Sequence, residues 1–445
     1  MESQVFVLWI IGGIFTLPIV LFTIYICLPL PYPSKTESDY AHHSFPWWET
    51  YFCHKYLRPK RRAERGSGLE EYFRIMDFHF DTSALRNARP LTLSTTGDLM
   101  CRKDLEGEGA HYLYDEIGED LFAADIRVGN LEFAVNPHVY YHKLLRFSVP
   151  PAYARPLLGD EKHGRFDALT LANNHINDSL HQGIEETCAF LDTEGISYTG
   201  ANPTPKDRDR ILILERSGAK IALLSYTFST NGIPLEEGKS FGTNVIRFNA
   251  LKDEDYDASL IHRHIQSAKA QGAEYIVAGL HWGMDLELYP PTRLVTRARA
   301  LLDAGIDLII GHHPHVLGPV ERYRTVDGRD GLIFYSLGNL TAKGLIFPIQ
   351  RLAASVRITL TAGTTATGRR VVTPAHIEVI PTLFYTKKIG GISRGIIRKV
   401  KPWAARIATG EGGLPLSSRE RWEIATANRA FEKYFEIINN GIVYR

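Results

Sequence analysis

The sequence predicts an α/β domain, and three features of its hydrophobic pattern support that prediction. Short apolar runs rich in β-forming residues recur along the chain, and amphipathic stretches that end in glycine separate several of them. Strands that alternate with helices in this way are typical of α/β folds. Two later apolar runs have no helix between them, which predicts an added antiparallel layer in the second half of the chain.

The predicted elements follow one another from residue 91 onward. The runs expected to form strands are LTLSTTG (91–97), ADIRVGN (124–130), FDALTLAN (166–173), AKIALLSYT (219–227), AEYIVAGLHWG (273–283), IDLIIGHH (306–313) and LIFYSLGN (332–339). The stretches expected to form helices are LHQGIEETCAFLDTEG (180–195), DASLIHRHIQSAKAQG (257–272) and TRLVTRARALLDAG (292–305). The two runs without an intervening helix are RLAASVRITLTAG (351–363) and RRVVTPAHIEVIP (369–381).

Residues 1–31 are predicted to form an N-terminal membrane anchor. The stretch from Val5 to Leu30 carries no charged side chain and is long enough to cross a hydrocarbon core of about 30 Å. A cleaved signal peptide is the competing interpretation, but its apolar region is usually about 7–15 residues long and a small-residue cleavage site should follow it. The residues that follow here are PYPSK, so we expect an uncleaved transmembrane helix.

The charges near this span leave the orientation of the main domain open. Applied literally to Lys35 and to the basic cluster at residues 55–65, the positive-inside rule would keep the domain cytoplasmic. Most of those charges, however, lie beyond the roughly 15–20 residues in which the rule has most force. Our expectation is an extracytoplasmic main domain on a membrane anchor.

The charge balance argues against a nucleic-acid partner, and the cysteine spacing argues against structural sites built on cysteine. The 51 basic and 50 acidic side chains leave a formal net charge of +1, so no overall field for holding nucleic acid is expected and no nucleic-acid partner is predicted. The cysteines show neither a CxxC pair nor a regular spacing, which argues against a disulfide framework and against a thiolate zinc site. They are Cys27, Cys53, Cys101 and Cys188.

The rest of the chain divides into three predicted parts. Residues 32–89 are expected to be a linker with aromatic and basic segments and some local structure. Residues 90–385 are expected to form the main domain. Residues 386–445 are expected to be a helical extension, because the stretches 392–403 and 417–441 have amphipathic patterns.

Polar side chains that can bind metals follow six of the predicted strands. In open α/β sheets, ligands gather outside the carboxyl ends of the strands, where a rigid sheet positions the side chains of the loops. We therefore expect these six strand ends to converge on one crevice. The residues are Asp98, Asn130, Glu132, Asn173, Asn174, His175, His281, His312, His313, His315, Ser336 and Asn339.

This set of imidazoles, carboxylates and carboxamides predicts a site for one or two divalent ions such as Zn²⁺, Mn²⁺ or Fe²⁺. Without an ion, burying so many polar groups together would be costly. Pro314 fixes the backbone between His313 and His315, so both rings can approach the same centre from one stiff turn. Each motif alone has an ordinary interpretation, as a turn, a helix cap or a structural histidine; the cluster as a whole favours metal chemistry.

Six motifs follow one another along the chain: TGDLM (96–100), GNLE (129–132), LANNHINDSLHQGIEET (171–187), LHWGMDLELYP (280–290), GHHPHVLGPVE (311–321) and YSLGN (335–339). In this order they resemble the CapA family, the poly-gamma-glutamate capsule biosynthesis proteins whose domain belongs to the calcineurin-like metallophosphoesterase superfamily. The resemblance covers roughly residues 90–341, and the ordered set is specific although each piece alone is weak.

The resemblance implies a metallophosphoesterase-like four-layer α/β/β/α sandwich with a metal site at the strand ends. His175 would then protonate a leaving group. The residues in the positions of metal ligands are Asp98, Glu132 (the bridging carboxylate), Asn174, His281, His313 and His315. The residues expected to contact the substrate are Asn130, Asn173, Asp178, Asp285 and Asn339.

The sequence also departs from the pattern of that superfamily. The first strand is usually followed by DxH, but here Met100 stands where the histidine is expected. One nitrogen ligand is therefore missing, which leaves either a single ion or a second ion held by another donor, with Asp178 and Asp285 as candidates. The family carries Glu at the position of Asp285 and Gln at that of Gly318, so substrate contacts are expected to differ.

Two classes of function are compatible with the resemblance. In the first, a divalent ion activates water for attack on a phosphoester or a gamma-glutamyl amide, and His175 acts as general acid. In the second, the domain is a non-catalytic accessory protein that binds, anchors or exports the anionic polymer. A general metal-dependent phosphoesterase is a further alternative, based on fold analogy alone. The expected partners are a membrane, an anionic polymer or phosphorylated substrate, and other capsule-synthesis membrane proteins.

Overall fold

The computed structural model describes residues 61–139, 147–342, 347–436 and 440–445. The predicted anchor and residues 32–60 of the predicted linker lie outside the described residues. Within the described ranges, no helix combines the length and the apolar character needed to cross a membrane.

The described chain alternates helices and strands as the hydrophobic pattern predicts. The α-helices are α1 (Leu69–Arg74), α2 (Gly118–Phe122), α3 (Pro151–Ala154), α4 (Leu180–Glu194), α5 (Pro205–Arg208), α6 (Ser259–Ala270), α7 (Thr292–Ala304), α8 (Val400–Ala408) and α9 (Ser418–Tyr434). The strands are β1 (Arg86–Thr96), β2 (Ile126–Asn130), β3 (Ala134–Val135), β4 (Ser148–Val149), β5 (Gly159–Asp160), β6 (Gly164–Arg165), β7 (Ala168–Thr170), β8 (Ser197–Thr199), β9 (Leu212–Arg216), β10 (Ala219–Thr227), β11 (Tyr275–His281), β12 (Leu308–His312), β13 (Val320–Arg324), β14 (Asp330–Phe334), β15 (Leu352–Thr364), β16 (Arg370–Ile389), β17 (Ile392–Lys399) and β18 (Ile442–Tyr444). Short 3-10 helices cover Lys103–Leu105, Gly107–Ala110, Arg155–Leu158, Asp253–Asp255 and Pro348–Arg351.

Most of these strands form two mixed sheets, which confirms the predicted α/β fold. The first sheet has the order β17-β16-β15-β1-β2-β7-β8, with β18 beside β16, and the second has the order β13-β14-β12-β11-β10-β9. In the first sheet β1, β2, β7 and β8 are parallel, whereas β15, β16 and β17 extend the β1 side in antiparallel fashion. The two helix-free runs therefore widen the first sheet, because β15 pairs directly with β1; they do not form a separate layer.

The two sheets pack against each other through their inner faces. Leu91 and Leu93 of β1 belong to the same buried cluster as Ile221 and Leu223 of β10, which lies in the second sheet. The opposite face of the first sheet packs on α4, whose Ile184 joins a second buried cluster. Helices α6 and α7 connect consecutive parallel strands of the second sheet and bury their apolar faces in the first cluster.

The prediction of a helix over residues 392–399 is wrong. This segment is strand β17, and it pairs along its whole length with β16, from Ile392 opposite Ile389 to Lys399 opposite Thr382. The ladder of hydrogen bonds and the burial of Ile396 and Ile397 outweigh a weak local preference for helix. Strand β16 itself crosses the domain boundary predicted after residue 385, and helices α8 and α9 begin only beyond β17.

The end of the predicted linker is part of the folded domain. Leu69, Phe73 and Phe78, within and after α1, are buried in the first cluster. The hydroxyl of Tyr72 donates a hydrogen bond of 2.8 Å to Glu321 Oε1, which ties α1 to strand β13. Local structure in this segment was expected from sequence, and its contacts show that it contributes to the core.

The basic side chains of β17 and α8 are engaged in ion pairs. Arg394 pairs with Glu108 at 2.8 Å and Arg398 with Glu116 at 2.6 Å, and Lys399 and Lys401 contact Asp120 and Glu436. These cations therefore face carboxylates of the same chain, which makes them poor candidates for holding an anionic polymer.

The spacing between the sheets depends on Gly279 of β11. A Cβ at this position would lie 2.6 Å from Cγ2 of Thr170, which belongs to the first sheet. We expect Gly279→Ala to lower the free energy of unfolding by about 2 kcal/mol, because a stiff β-branched side chain cannot move out of the way. Urea unfolding of the purified protein measures this change.

Two further variants make the test specific. Thr170→Ser removes Cγ2 and keeps the hydroxyl that bonds Asn130, so the cost of Gly279→Ala should fall by about half in that background. Gly412→Ala is the matched control, since nothing lies within 4 Å of its new Cβ. An equal cost of Gly279→Ala in both backgrounds would contradict the assigned contact.

Candidate metal centre

The carboxyl ends of the central strands of both sheets meet at one edge of the molecule. The first sheet contributes Asp98 after β1, Glu132 after β2 and Asn174 after β7, and the second contributes His281 and His313. All five are buried. Isolated bridges between Asp98 and Asn339 and between Leu99 and Leu131 hold the loops side by side.

Three overlapping groups of side chains could each hold a metal ion. In each group the potential ligand atoms lie within 4.8 Å of one another. The first ligand group is Glu132, His281 and His313; the second is Asp98, Glu132 and His315; the third is Asp285, His313 and His315. Each of Glu132, His313 and His315 belongs to two of these groups, so the groups overlap in pairs.

Individual distances show how compact this arrangement is. Oε1 of Glu132 lies 3.4 Å from Nε2 of His281 and 3.5 Å from Nε2 of His315. Nε2 of His281 is also 2.8 Å from Oδ1 of Asn174, which adds a carboxamide oxygen to the first ligand group. Donor atoms that share an ion at about 2.0–2.2 Å are separated by distances of this order.

Buried donor atoms without partners provide the test of whether a cation fits. Among the described residues, neither carboxylate oxygen of Glu132 and neither ring nitrogen of His313 has a hydrogen-bond partner. Leaving such groups buried and unsatisfied costs about 1–3 kcal/mol each, and more where the group is charged. A divalent ion would satisfy their lone pairs together, so the donor set fits a metal.

The electrostatics of the site favour neutral imidazoles. Burial, reinforced by the neighbouring histidines, holds the pKa of His281 well below its ordinary value. Burial also lowers the pKa of His313 to about 3, although Asp285 opposes the shift. Both rings are therefore uncharged at neutral pH, and each has one nitrogen lone pair that could bind a cation.

The two carboxylates shift in opposite directions. Burial, with the nearby charge of Asp98, raises the pKa of Glu132 well above its ordinary value. Burial also acts to raise the pKa of Asp98, but His312, His315 and the Asn130 amide outweigh it and hold that pKa below its ordinary value. Asp98 is thus ionised. Ionisation of the buried Glu132, in contrast, is unfavourable unless a cation lies beside it.

Neighbouring side chains orient the candidate ligands. Asn130 donates a hydrogen bond of 2.8 Å to Asp98 Oδ1, and Nδ1 of His312 lies 2.6 Å from the same oxygen. Oδ1 of Asn339 is 2.8 Å from Nδ1 of His315, which fixes the proton on Nδ1 and leaves Nε2 to face Glu132. His312, whose role the sequence leaves open, is therefore a neighbour of Asp98.

His175 lies beside the ligand groups and is held by an acid. Its Nδ1 is 2.7 Å from Oδ2 of Asp178, which also accepts a hydrogen bond from the backbone N–H of Phe147. The Phe147 ring packs on the imidazole with a centroid separation of 4.1 Å. The side chain of Asn173 bonds the backbone of His175 and Leu131, so it fixes the loop that carries the ring.

Only one of the two candidates for the missing donor reaches the ligand atoms. Oδ1 of Asp285 lies 3.6 Å from Nε2 of His313 and 3.7 Å from Nε2 of His315. Asp178 belongs to none of the ligand groups found among the described residues, because it is committed to His175. Of the two candidates, Asp285 is thus the one that lies among the ligand atoms.

Of the residues predicted to contact substrate, Asn130, Asn173, Asp178 and Asn339 are buried inside this network, whereas Asp285 is partly buried. The observed side-chain contacts of Asn130, Asn173, Asp178 and Asn339 are with Asp98, the 131–175 loops and the rings of His175 and His315. Asp285 faces His313 and His315. Their contact with a substrate remains a prediction, whereas their part in building the site is visible.

Asn231 lies at the site but is not among the residues that the sequence predicts there. Its side chain contacts those of Asn174 and His175, from the loop that follows β10. The loop that carries Asn231 also follows a predicted strand, AKIALLSYT (219–227), so its position could have indicated a site residue. The predicted site includes only the ends of six other strands.

The backbone around the histidines is strained. His313 has φ 93°, His315 has φ 55° and Leu286 has φ 63°, which are left-handed values that side chains other than glycine rarely adopt. Such residues cluster at functional sites, where the surrounding structure holds them against a cost of about 1–3 kcal/mol each. Pro314 between the two histidines fixes one backbone angle, in line with the stiff turn predicted from sequence.

Comparisons with known proteins agree with the motif resemblance. Residues 92–343 match the family described as bacterial capsule synthesis protein PGA_cap. The chain is 28% identical over 265 residues to the capsule biosynthesis protein CapA of Bacillus anthracis, covering 57% of this chain and 60% of that protein. It is 30% identical over 256 residues to the PGA biosynthesis protein CapA of Bacillus subtilis, covering 56% and 62%.

A third relative carries a different description. A Mycobacterium tuberculosis protein described as a probable polyglutamine synthesis accessory protein is 29% identical over 160 residues, which cover 35% of this chain and 40% of that protein. The chain spans about three-fifths of the length of the two CapA relatives that it matches.

Glu132→Gln is expected to make the protein more stable than the wild type without metal and less stable than the wild type with metal. In the presence of a chelator, the free energy of unfolding of the variant should exceed that of the wild type by about 1–3 kcal/mol at pH 7. The reason is that Gln replaces a carboxylate that is buried without a hydrogen-bond partner. Since the folded pKa of Glu132 is raised, the wild type loses stability as the pH rises above about 4.3, and the difference should vanish below that pH. With Mn²⁺ the wild type should be the more stable protein. Thermal unfolding between pH 4 and 7 measures both effects.

Glu254→Gln serves as the control for this experiment. Its side chain is 73% exposed, so the substitution should change neither the apo stability nor the gain from Mn²⁺. A Glu132→Gln protein that is destabilised in chelator and still stabilised by Mn²⁺ would show that this carboxylate is not a ligand.

Proposed function

The chain belongs to the bacterial capsule synthesis protein family PGA_cap, and from that membership and the site geometry we propose that it is a membrane-anchored CapA-like protein of poly-gamma-glutamate or capsule biosynthesis with a metal-dependent hydrolase-type site. The observation that carries the proposal is the pair of ligand groups sharing Glu132 beside the His175–Asp178 pair. The two packed sheets with helices on their faces support a metallophosphoesterase-like four-layer sandwich.

The residues that would hold the metal come from both sheets. Glu132, His281, His313 and the Asn174 oxygen form one position, and Asp98, Glu132 and His315 form the other, with Asp285 beside the histidines. Zn²⁺, Mn²⁺ and Fe²⁺ all suit such mixed nitrogen and oxygen donors. A bound ion would supply Lewis-acid stabilisation of developing negative charge and would acidify water.

His175 is the proposed proton donor. Asp178 accepts the proton on Nδ1, which leaves Nε2 to deliver a proton to the departing oxygen or nitrogen of the substrate. Packing of Phe147 on the ring limits its rotation and excludes water from that side. The protein therefore supplies orientation at Nδ1 and proton transfer at Nε2, next to the Asn174 ligand.

The substrate, partners and location are proposed from the relatives' names and from the N-terminal sequence. The descriptions of the two Bacillus proteins name capsule biosynthesis and PGA biosynthesis, and on this basis we propose an anionic polymer, poly-gamma-glutamate, as the substrate. The proposed bond cleaved is a gamma-glutamyl amide or a phosphoester. The uncharged stretch from Val5 to Leu30 supports a membrane anchor and contact with other capsule-synthesis membrane proteins. We place the main domain outside the cytoplasm.

A non-catalytic accessory role is the alternative. The observation in its favour is Met100, which removes one nitrogen donor from the position after the first strand. The Mycobacterium tuberculosis relative is also described as an accessory protein. In that role the same metal cleft would bind carboxylates of the polymer without turnover.

His175→Ala separates the two functions. We expect it to reduce hydrolysis of a chromogenic phosphoester or of poly-gamma-glutamate by about 10²–10⁴-fold in Mn²⁺ or Zn²⁺, while bound metal stays at the wild-type level. Metal content by elemental analysis and initial rates measure the two quantities on the same protein.

The control for this substitution is His376→Ala, because the His376 side chain is 41% exposed on β16. It should leave both quantities unchanged. Bound metal with no wild-type turnover of either substrate would favour the accessory role, and loss of metal in His175→Ala would make this residue part of the metal site.

Protease protection on intact cells tests the proposed location. An extracytoplasmic main domain should be digested by added protease without permeabilisation, whereas a cytoplasmic reporter protein should survive. Protection of the domain until the cells are permeabilised would place it on the cytoplasmic side and would agree with the literal positive-inside reading.

A further inference from the structure

We propose that Asn231 is a positioning residue of the metal site: it sets the orientation of the Asn174 carboxamide so that the oxygen faces the ion, and it links that ligand to His175. The inference rests on the metal site of the proposed function and adds a residue from outside the six strand ends that the sequence indicated. It concerns the affinity for metal, which can be measured without turnover.

The loop after β10 holds Asn231 in a fixed place. Asn231 has φ 53° and the following Gly232 has φ 70°, so two successive residues adopt left-handed conformations that Asn and Gly tolerate. The Thr230 hydroxyl donates a hydrogen bond of 2.7 Å to the carbonyl of Ile233, and the Asn177 amide donates one of 3.0 Å to the same carbonyl. The side chain at 231 is therefore presented by a braced turn.

The hydrogen bonds around Asn231 determine which way its amide points. Oδ2 of Asp178 lies 2.7 Å from Nδ1 of His175 and holds the ring in place. The Asn231 amide nitrogen lies 3.3 Å from Nδ1 and 3.5 Å from Nε2 of this ring. Its oxygen consequently faces the other way, toward Asn174.

That orientation selects the useful face of Asn174. The amide nitrogen of Asn174 donates a hydrogen bond of 2.9 Å to Asn231 Oδ1, and its oxygen lies 2.8 Å from Nε2 of His281 in the first ligand group. A half-turn of the Asn174 amide would place two oxygens against each other and would aim an N–H group, which cannot bind a cation, at the ligands. Asn231 therefore favours the metal-binding rotamer.

The same contacts make a continuous chain from the proton donor to the ligands. Asp178 bonds His175, His175 contacts Asn231, Asn231 bonds Asn174, and Asn174 contacts His281. Residues that orient metal ligands in this way typically change metal affinity by about 10–100-fold when they are removed. Asn231 occupies the centre of this chain.

Mn²⁺ binding to the metal-free protein tests the inference. Asn231→Gly removes the side chain without straining a left-handed backbone, and it should weaken Mn²⁺ binding by at least about tenfold. Asn231→Asp keeps an acceptor oxygen for the Asn174 amide and tolerates the same backbone, so it should stay within about threefold of the wild type. Calorimetric titration gives the dissociation constants.

Asn87→Gly is the matched control. Asn87 is exposed and has φ 50°, so the substitution makes the same chemical and backbone change away from the site. It should leave Mn²⁺ affinity unchanged, and thermal unfolding in chelator should show similar small effects for Asn87→Gly and Asn231→Gly.

Each outcome decides the question. Wild-type affinity in Asn231→Gly, or an equal loss in Asn231→Gly and Asn231→Asp, would overturn the positioning role while leaving the metal site intact. A wild-type protein that binds no Mn²⁺ would refute the proposed metal site and this inference together. Tight binding in the wild type, weak binding with Gly and recovery with Asp would support the role of Asn231.

Discussion

The carboxylate of Glu132 is the constraint on which the rest of the site depends. It is fully buried where the two sheets meet, and among the described residues no hydrogen-bond donor satisfies either of its oxygens. A charge in such a place is tolerated only beside a compensating charge. Burial keeps the pKa values of His281 and His313 below the ordinary value, so neither of these two rings supplies a positive charge at neutral pH, and a cation from solution is the group proposed to complete this centre.

The fold brings the donors together at a structural cost. Parallel strands of two sheets must end at the same edge, and the sheets must approach closely. The close approach is visible at Gly279, where Thr170 of the other sheet leaves no room for a Cβ atom. His313 and His315 adopt backbone angles that side chains avoid. Strain and unsatisfied donors coincide at the same few residues, which is expected where ligand binding, and not folding alone, determines the local conformation.

The sequence predicts the parts of this arrangement that are local. Alternation of strand and helix and the polar residues after each strand are visible within short windows, and they identify Glu132, Asn174, His281 and His313 correctly as neighbours. Contacts between distant segments are not visible in this way. The pairing of β17 with β16 overrides a helical pattern, and Asn231 reaches its partners across 56 and 57 residues of chain. The spacing of residues along the sequence predicts neither the pairing of β17 with β16 nor the contacts of Asn231.

Position 100 carries Met instead of the expected histidine, and the imidazoles that lie near Asp98 come from the second sheet. The loop after β1 is pinned there by Thr341, whose hydroxyl bonds both the backbone N–H and the carbonyl of Met100. A thioether is a soft and weak donor for the ions that suit this site. Strand β12 and the turn after it bring His312 to within 2.6 Å and His315 to within 3.7 Å of Asp98. Asp98 therefore has imidazole neighbours from the second sheet although its own loop supplies none, and of these two rings His315 is the one that belongs to a ligand group found among the described residues.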